Sequence, residues 1–132
     1  MTNSKVQLPA DKQPAIRVAA MPKDTNADGS IFGGWIMSQV DIAGSIPALE
    51  RAKGRITTVA VNSFEFREPV FVGDLISCYA DIIKTGHTSI TIKVEVYAER
   101  KPACKETVKV TEAELTYVAL DKNGKPCALP PE

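Results

Sequence analysis

The chain has one long helical segment and four long strand-like segments, and this ratio leaves few ways to bury their apolar side chains. The helical segment covers residues 33–51, which are almost wholly apolar. Four segments rich in β-branched and aromatic residues follow with short connections, at 56–66, 75–84, 88–100 and 105–120. Because one helix cannot cover both faces of a sheet, the sequence predicts an α+β domain with an antiparallel sheet wrapped on one face around the helix.

Alternation of apolar and polar residues is clearest in the segment 88–100. The positions on one face are Ile90, Ile92, Val94, Val96 and Ala98, and those on the other face are Thr91, Lys93, Glu95 and Tyr97. In the last segment the apolar parity shifts between Val110 and Ala113, which predicts a β-bulge near Thr111. The second face of the sheet still requires cover, and a homodimer is the simplest source of it.

Length and element order divide the chain into one domain with two short extensions. The 132 residues suit a single domain. The sequence predicts a flexible N-terminal tail at 1–13, the domain at 14–120 and a C-terminal coil at 121–132. Within the domain, 14–20 is a candidate for a first short strand.

Charge, hydropathy and cysteine content exclude several classes of protein. Sixteen basic and sixteen acidic residues cancel, so no electrostatic field favours nucleic acid. No run approaches the roughly 18 apolar residues of a membrane span, and the N-terminus lacks the apolar core of a secretory signal. Cys78, Cys104 and Cys127 are odd in number and lack C-x-x-C spacing, which argues against disulfides and a zinc site. We therefore expect a cytoplasmic protein with neither a membrane nor a nucleic-acid partner.

The helical segment carries apolar side chains around nearly its whole circumference, as a buried central helix requires. These side chains are Trp35, Ile36, Met37, Val40, Ile42, Ala43, Ile46 and Leu49. Pro47 lies near the end of the segment, where it removes one helical hydrogen bond and is expected to kink the last turn.

Asp41 is the only ionisable residue between positions 33 and 49. At 100° per residue it shares one narrow stripe with the small residues Gly34, Ser38, Ser45 and Ala48, which leave a groove along that face. An unpaired buried carboxylate is destabilising by several kcal/mol. Two interpretations stay open: a structural aspartate hydrogen-bonded to a hydroxyl or a backbone amide across an interface, or a catalytic carboxylate.

Gly33 and Gly34 open the predicted helix, where unpaired N–H groups and the positive end of the helix dipole point outward. Such donors suit an oxyanion that develops during a reaction. Two adjacent glycines also permit close backbone packing, and the sequence does not separate these interpretations.

Three stretches together resemble the acyl-CoA thioesterases of the hotdog fold, most closely the small bacterial YciA-like group. They are "NADGSIFGGWIMSQVD", "VAVNSFEFREPVFVGD" and "TSITIKVEV", and the likeness extends from about Ile16 to Leu120. Its specific motif is the spacing of Asn26, Gly33 and Asp41. The resemblance implies an antiparallel sheet around one long helix, and hydrolysis of an acyl-CoA thioester to a free acid and coenzyme A.

The resemblance also implies a role for each residue of the motif. Asp41 would be the general base on water or the nucleophile that forms a transient anhydride, and the sequence does not choose between them. The Gly33 N–H would hold the thioester oxygen, and the Asn26 side chain would orient the water or the carbonyl. No metal and no cofactor are implied, since coenzyme A is part of the substrate. Gly33 and Asp41 lie too far apart along one helix to serve one carbonyl, so we expect a site shared across a two-fold dimer.

The turn "KTGHTS" at 84–89 resembles the place where such enzymes hold the pantetheine and phosphates of coenzyme A. Lys84 offers charge and Gly86 allows backbone approach. The predicted substrate-binding residues are Gly34, Lys84, Gly86, Thr88 and Ser89. An ordinary hairpin turn is the alternative. The expected partners are the acyl-CoA substrate and further copies of the chain, as a homodimer and then a tetramer or hexamer.

Other functions fit the sequence less well or remain as alternatives. A hotdog dehydratase would need a histidine with an acid, but the only histidine, His87, lies in a turn far along the chain from Asp41. A serine or cysteine hydrolase lacks a placed base, and Cys78 shares the parity of core residues. A non-enzymatic acyl-CoA-binding or lipid-binding hotdog module would fit the groove equally well. The preferred length of the acyl chain stays open.

Overall fold

The computed structural model describes residues 6–100 and 106–132 of the chain. Cys104 and the first residue of the last predicted strand segment therefore lie outside the described residues. The elements are β1 (Ile16–Ala19), a short 3-10 turn (Pro22–Asp24), α1 (Gly33–Ala52), β2 (Ile56–Phe66), β3 (Leu75–Thr85), β4 (Ser89–Arg100) and β5 (Glu106–Ala119). The strands form one antiparallel sheet in the order β1-β3-β4-β5-β2. One long helix packed on this sheet confirms the predicted α+β architecture.

The inner face of the sheet and one side of α1 form the core. On β4 the side chains of Ile90, Ile92, Val94, Val96 and Ala98 are all fully buried, as their alternation predicts. The helix contributes Ile36, Val40, Ala43, Ala48 and Ala52 to the same cluster. Since burial of one large aliphatic side chain contributes about 1.5–3 kcal/mol, this alternation is sufficient to determine which face of the sheet points inward.

The β-bulge predicted near Thr111 is confirmed. Val96 pairs with Thr111 and Tyr97 pairs with Lys109, so Val110 is the extra residue on β5. Val110 and Thr111 are both fully buried, and the Thr111 hydroxyl donates to the backbone carbonyl of Glu65 on β2. The bulge thus restores the inward parity of the rest of β5 and attaches it to the edge strand.

The helix differs from its prediction on the side away from the sheet. Met37, Ile42 and Leu49 are 44%, 49% and 46% exposed, so the protomer covers only part of the circumference that was predicted to be buried. Pro47 lies inside α1 without ending it, and the helix continues to Ala52. Within the described ranges, no helix combines the length and the hydropathy that spanning a membrane requires.

The outer face of the sheet was predicted to need cover from a second copy, and in the protomer this face carries a network of ion pairs. The Lys109 amino group lies 2.9 Å from a Glu95 carboxylate oxygen and 2.6 Å from a Glu112 oxygen. Lys12, from the segment predicted as a flexible tail, lies 2.6 Å from an Asp81 oxygen. Side chains of the protomer itself therefore satisfy this polar face. The uncovered apolar surface is instead the open flank of α1 with edge strand β2, where Val59 is 54% exposed.

Candidate functional site

Asp41 lies near the middle of α1, at the boundary between the side packed on the sheet and the open flank, and is half-buried. Its Oδ1 atom accepts hydrogen bonds from the Thr58 hydroxyl at 2.7 Å and from the Tyr117 hydroxyl at 3.1 Å. Within the described part of the chain, Oδ2 has no hydrogen-bond partner. One carboxylate oxygen is therefore held in place while the other stays available to a ligand.

Thr58 and Tyr117 reach Asp41 together because they are direct partners across the β2–β5 ladder. Opposed residues of antiparallel strands have Cβ atoms about 4.5–5.5 Å apart on the same face of the sheet, so the two hydroxyls approach one point from below the helix. The ladder shifts register just after Thr58, between Thr58 and Ala60. Neither residue was identified from the sequence, although Tyr117 shares the inward parity of Leu115 and Ala119.

Tyr117 is 1% exposed, and its hydroxyl also donates to the backbone carbonyl of Asp41 at 2.8 Å. A Cβ atom at Gly44 would lie 2.5 Å from this hydroxyl oxygen, so only glycine accommodates the tyrosine at that turn of the helix. Burial raises the pKa of Tyr117 above its usual range, and the charge of Asp41 raises it further. The phenol therefore remains protonated and acts as a hydrogen-bond donor.

The helix begins at Gly33, as the sequence predicts. Phe32 is the N-cap, and its carbonyl accepts hydrogen bonds from the N–H groups of Trp35 and Ile36. The N–H groups of Gly33 and Gly34 have no acceptor among the described residues, so they are free to bind a ligand oxygen. A Cβ at Gly33 would lie 3.2 Å from the Phe66 ring. Both interpretations of the glycine pair, free donors and close packing, therefore hold at Gly33.

A cleft of roughly 330 Å³ adjoins this end of the helix. Gly33 and Ile36 line it from α1, and Phe66, Arg67 and Val70 line it from the end of β2 and the loop beyond. The free donors of the helix N-terminus therefore border a space large enough for part of a ligand. Asp41 lies eight residues further along the helix, about 12 Å at 1.5 Å per residue.

Asn26 lies in the loop before the helix, and its side chain is engaged within that loop. Its Oδ1 accepts from the Asp28 N–H at 2.9 Å, and its Nδ2 donates to the Ser30 hydroxyl at 3.1 Å. The Ile31 N–H donates to the Val70 carbonyl at 2.8 Å, which ties the loop to the cleft wall. Asn26 makes no hydrogen bond to Asp41 in the described part of the protomer. One chain therefore does not bring the predicted motif together.

The predicted substrate turn connects β3 and β4 at the other end of the helix. The Gly86 N–H donates to the Ser89 carbonyl at 2.8 Å, and a Cβ at Gly86 would lie 2.7 Å from the Ser89 hydroxyl. A second cleft of roughly 380 Å³ lies here, between Thr85 and the C-terminal turn of α1 at Arg51 and Lys53. A helix of 20 residues is about 30 Å long, so one protomer places this turn far from Gly33 and Gly34.

Lys84 and His87 are exposed, and Thr88 and Ser89 are half-buried. The backbone carbonyls of His87 and Thr88 accept hydrogen bonds from Leu129 and Ala119, so the C-terminal segment supports the turn. His87 lies in this turn and makes no contact with Asp41 among the described residues, which does not favour a histidine-dependent dehydratase.

The cysteine-hydrolase alternative gains no support. Cys78 is fully buried, and burial raises the pKa of its thiol to about 12, which makes it an inert core residue. Among the residues that the structure describes, no three His, Cys, Asp or Glu side chains come close enough together to hold a metal ion.

Comparison with known proteins identifies relatives of the chain as a whole. A family model described as the Thioesterase superfamily matches residues 28–105. The chain is 50% identical over 119 residues to the acyl-CoA thioester hydrolase YciA of Escherichia coli, covering 89% of this chain and 90% of that protein.

Solved structures agree with this similarity. Cj0915, a hexameric hotdog fold thioesterase of Campylobacter jejuni, superposes with a TM-score of 0.87 and 43% identity, covering 92% of this chain and 93% of that one. HI0827, a hexameric broad specificity acyl-coenzyme A thioesterase, has a TM-score of 0.86 and 46% identity, covering 95% of this chain and 86% of that one.

Proposed function

The chain belongs to the thioesterase superfamily and is an acyl-CoA thioester hydrolase of the hotdog fold, and we propose that Asp41 performs its chemistry in a site shared by two protomers. The observation that carries this proposal is the state of the Asp41 carboxylate. Two hydroxyls fix Oδ1, while Oδ2 has no partner among the described residues. The alternative of a non-enzymatic binding module is set aside.

The reaction needs water, one carboxylate and hydrogen-bond donors. In one form Asp41 takes a proton from water as the water oxygen attacks the thioester carbonyl carbon, and the tetrahedral intermediate then expels the thiolate of coenzyme A. In the other form Asp41 attacks the carbonyl, releases coenzyme A and forms a mixed anhydride that water hydrolyses. Both forms yield one carboxylic acid and one coenzyme A. After a single turnover in ¹⁸O-labelled water, label on the enzyme identifies the anhydride route, because only attack of water on the aspartyl carbon of an anhydride places the oxygen there.

The Gly33 N–H is proposed as the donor to the oxyanion of the intermediate. A donor and an attacking group must both lie about 3 Å from the reacting centre, but eight residues of helix separate Gly33 from Asp41 by about 12 Å. We therefore pair Asp41 of one protomer with Gly33 and Asn26 of the partner subunit. Asn26 would orient the water or the carbonyl after the Asx turn that now holds its side chain has rearranged.

The apolar surface of the protomer lies where such a dimer needs it. Edge strand β2 pairs on one side with β5, and its Val59 and Val61 are exposed. Met37 and Ile42 extend this surface along the flank of α1 beside Asp41. An uncovered apolar edge promotes association with a second strand. We propose a homodimer through this surface and, because Cj0915 and HI0827 are hexameric, a hexamer of three such dimers.

The turn at 84–89 is proposed to bind the coenzyme A part of the substrate, with the charge of Lys84 near the phosphates and the backbone at Gly86, Thr88 and Ser89 along the pantetheine. Gly34 would add a second N–H at the helix N-terminus. The location at the far end of α1 fits a partner subunit whose helix runs in the opposite direction. The free thiols of Cys78 and Cys127 also support a cytoplasmic location.

Subunit complementation tests the shared site. Asn26→Ala and Asp41→Asn proteins should each release almost no thiol from acyl-CoA. When the two are unfolded and refolded together, half of the dimers are mixed, and each mixed dimer has one intact and one doubly damaged site. Random pairing should then restore roughly a quarter of the wild-type activity.

The matched control mixes Asn26→Ala with the double variant Asn26→Ala/Asp41→Asn. No pairing of these two chains creates an intact shared site, so activity should stay at the level of the parents. Recovery in the control, or no recovery in the first mixture when mass spectrometry detects mixed dimers, would reject the shared site.

A further inference from the structure

We propose that Tyr117 is a positioning residue for the thioesterase reaction, because its hydroxyl bonds both the backbone carbonyl and the Oδ1 atom of Asp41 and so directs Oδ2 toward the substrate. This inference rests on the proposed function, in which Asp41 is the reacting carboxylate. Tyr117 itself does not need to touch the substrate. Its role is to fix the rotamer of Asp41 before the substrate binds.

Both hydrogen bonds of the Tyr117 hydroxyl go to the same residue, Asp41. The Tyr117 oxygen lies 2.8 Å from the Asp41 carbonyl oxygen and 3.1 Å from its Oδ1. A phenol has one hydrogen, which these two acceptors share. The side chain of Asp41 is thereby tied to its own backbone, and Thr58 adds a second donor to Oδ1 at 2.7 Å. Rotation of the carboxylate would break both hydrogen bonds to Oδ1.

Gly44 provides the space that the Tyr117 hydroxyl requires beside the helix. It is fully in the helix interior, where glycine is less favourable than alanine by about 1 kcal/mol. A Cβ at this position would lie 2.5 Å from the Tyr117 hydroxyl oxygen and 3.2 Å from two carbons of its ring. The unfavourable residue is therefore explained by the close approach of Tyr117. Gly44 follows Asp41 by three residues, so both lie on the side of the helix that faces β5.

Among the groups near Asp41, Tyr117 is the hydrogen-bond donor whose removal should change the pH dependence of activity. β2 contributes Thr58, which does not titrate, and Ile90 on β4 is the cross-strand partner of Tyr117. On β3, Thr85 pairs with Ile90 and does not titrate, whereas Cys78 pairs with Val96 further along the sheet. Burial and then the charge of Asp41 raise the pKa of Tyr117, so the phenol donates across the working pH range.

The test compares Tyr117→Phe with the wild-type enzyme over pH. Loss of the shared hydrogen bond removes stabilisation of the ionised carboxylate, so the acid limb of kcat/KM should move to higher pH by about half a unit to one unit. Loss of orientation should lower the plateau kcat about three- to tenfold, with KM little changed. A role confined to folding would lower the melting temperature without moving the acid limb.

Gly44→Ala is the second variant, and it keeps the hydroxyl while displacing it. It should reproduce the shift of the acid limb and the fall in kcat. The double variant Tyr117→Phe/Gly44→Ala should lose no more than the worse single variant, since both act on one contact. If Tyr117→Phe does not fold, Gly44→Ala decides the question by the same two measurements.

Tyr97→Phe is the matched control. Tyr97 is 7% exposed, and its hydroxyl donates to Glu95 at 3.4 Å on the outer face of the sheet. Removal of the Tyr97 hydroxyl should leave kcat and the pH profile unchanged. A folded Tyr117→Phe enzyme with an unmoved acid limb and kcat within twofold of wild type would overturn the positioning role, while an inactive Asp41→Asn would still support the proposed function. An active Asp41→Asn would overturn both.

Discussion

Asp41 and Glu95 are partly buried carboxylates on opposite faces of the sheet, and their partners differ in kind. Glu95 is bonded by the amino groups of Lys109 and Lys12, at 2.9 Å and 3.4 Å. Asp41 is bonded by two neutral hydroxyls. Burial alone raises the pKa of Glu95, but the hydrogen bonds and charges of Lys109 and Lys12 outweigh burial and leave this pKa below its usual value. The cations that surround Glu95 suit a role in stability, whereas the hydroxyls that hold Asp41 leave its Oδ2 without a partner among the described residues, as the proposed chemistry requires.

The largest difference in kcat should appear when the carboxylate charges of Asp41 and Glu95 are removed in separate variants. Asp41→Asn keeps the shape of the side chain and should lower kcat by about 10²- to 10⁴-fold, because the proposed base or nucleophile is lost. Glu95→Gln is the counterpart on the outer face and should leave kcat within about twofold. Thiol release from acyl-CoA measures both, with circular dichroism to show that each variant is folded. Equal activity of the two variants would remove the distinction between the two carboxylates.

A second difference should appear in stability against pH. The hydrogen bond from Lys109 lowers the pKa of Glu112 below its usual value of 4.5. A carboxyl group whose pKa is lower in the folded state stabilises the fold above its unfolded pKa, and this contribution disappears as pH falls through the folded pKa. Wild-type stability should therefore decrease from about pH 4.5 downward.

Lys109→Met should remove much of that acid-dependent loss and be less stable than wild type by about 1 kcal/mol at pH 7. Urea unfolding at pH 7 and pH 4 measures both quantities, and kcat serves as the internal control because Lys109 lies on the face away from Asp41. An unchanged dependence of unfolding on pH would show that the outer ion network does not contribute to stability.

The sequence singled out Asp41 by its apolar surroundings, but it did not predict the residues that hydrogen-bond its carboxylate. Asp41 is a lone charge in an apolar helix, and the period of β4 predicts which residues face the core, because both patterns are local along the chain. Thr58 and Tyr117 are 17 and 76 residues from Asp41, and their contact depends on how α1 packs on the β2–β5 ladder. No spacing in the sequence encodes that packing.

The ion pairs of the outer face were not predicted, for a related reason. Alternation predicts that Lys93 and Glu95 point outward, but it does not show that neighbouring strands bring Lys109 and Glu112 beside them. Apolar residues around α1 indicate burial without indicating whether the sheet or a second copy supplies it. The structure resolves the difference because Ile36 is buried and Ile42 is 49% exposed on the same helix.

A charge that is proposed to bind substrate should behave differently from both carboxylates. Lys84 is exposed in the turn proposed for coenzyme A. Lys84→Ala should raise KM for acyl-CoA about two- to fivefold and leave kcat unchanged, and the effect should shrink as salt is added, because exposed ion pairs are weak and screened. Lys122→Ala removes a matched exposed lysine from the C-terminal turn and should leave KM unchanged. A KM that is equal in the two variants at low salt would argue for an ordinary hairpin turn.

The smallest effect is expected at Lys53. Its replacement removes a lysine charge, as Lys109→Met does, but should raise the stability of the fold instead of lowering it. Lys53 follows the last turn of α1 in the left-handed conformation, with φ of 53°, and its N–H donates to the Leu49 carbonyl at 2.9 Å. Glycine adopts this conformation without the steric penalty of a Cβ atom, so Lys53→Gly should stabilise the fold by about 0.5–1 kcal/mol. Glu50→Gly lies in the same turn with ordinary helical geometry and should destabilise the fold by about 1 kcal/mol. Urea unfolding at pH 7 measures both. If Lys53→Gly proves less stable than wild type, the Lys53 side chain contributes more than its backbone conformation costs, and loss of a lysine would then be destabilising at both sites.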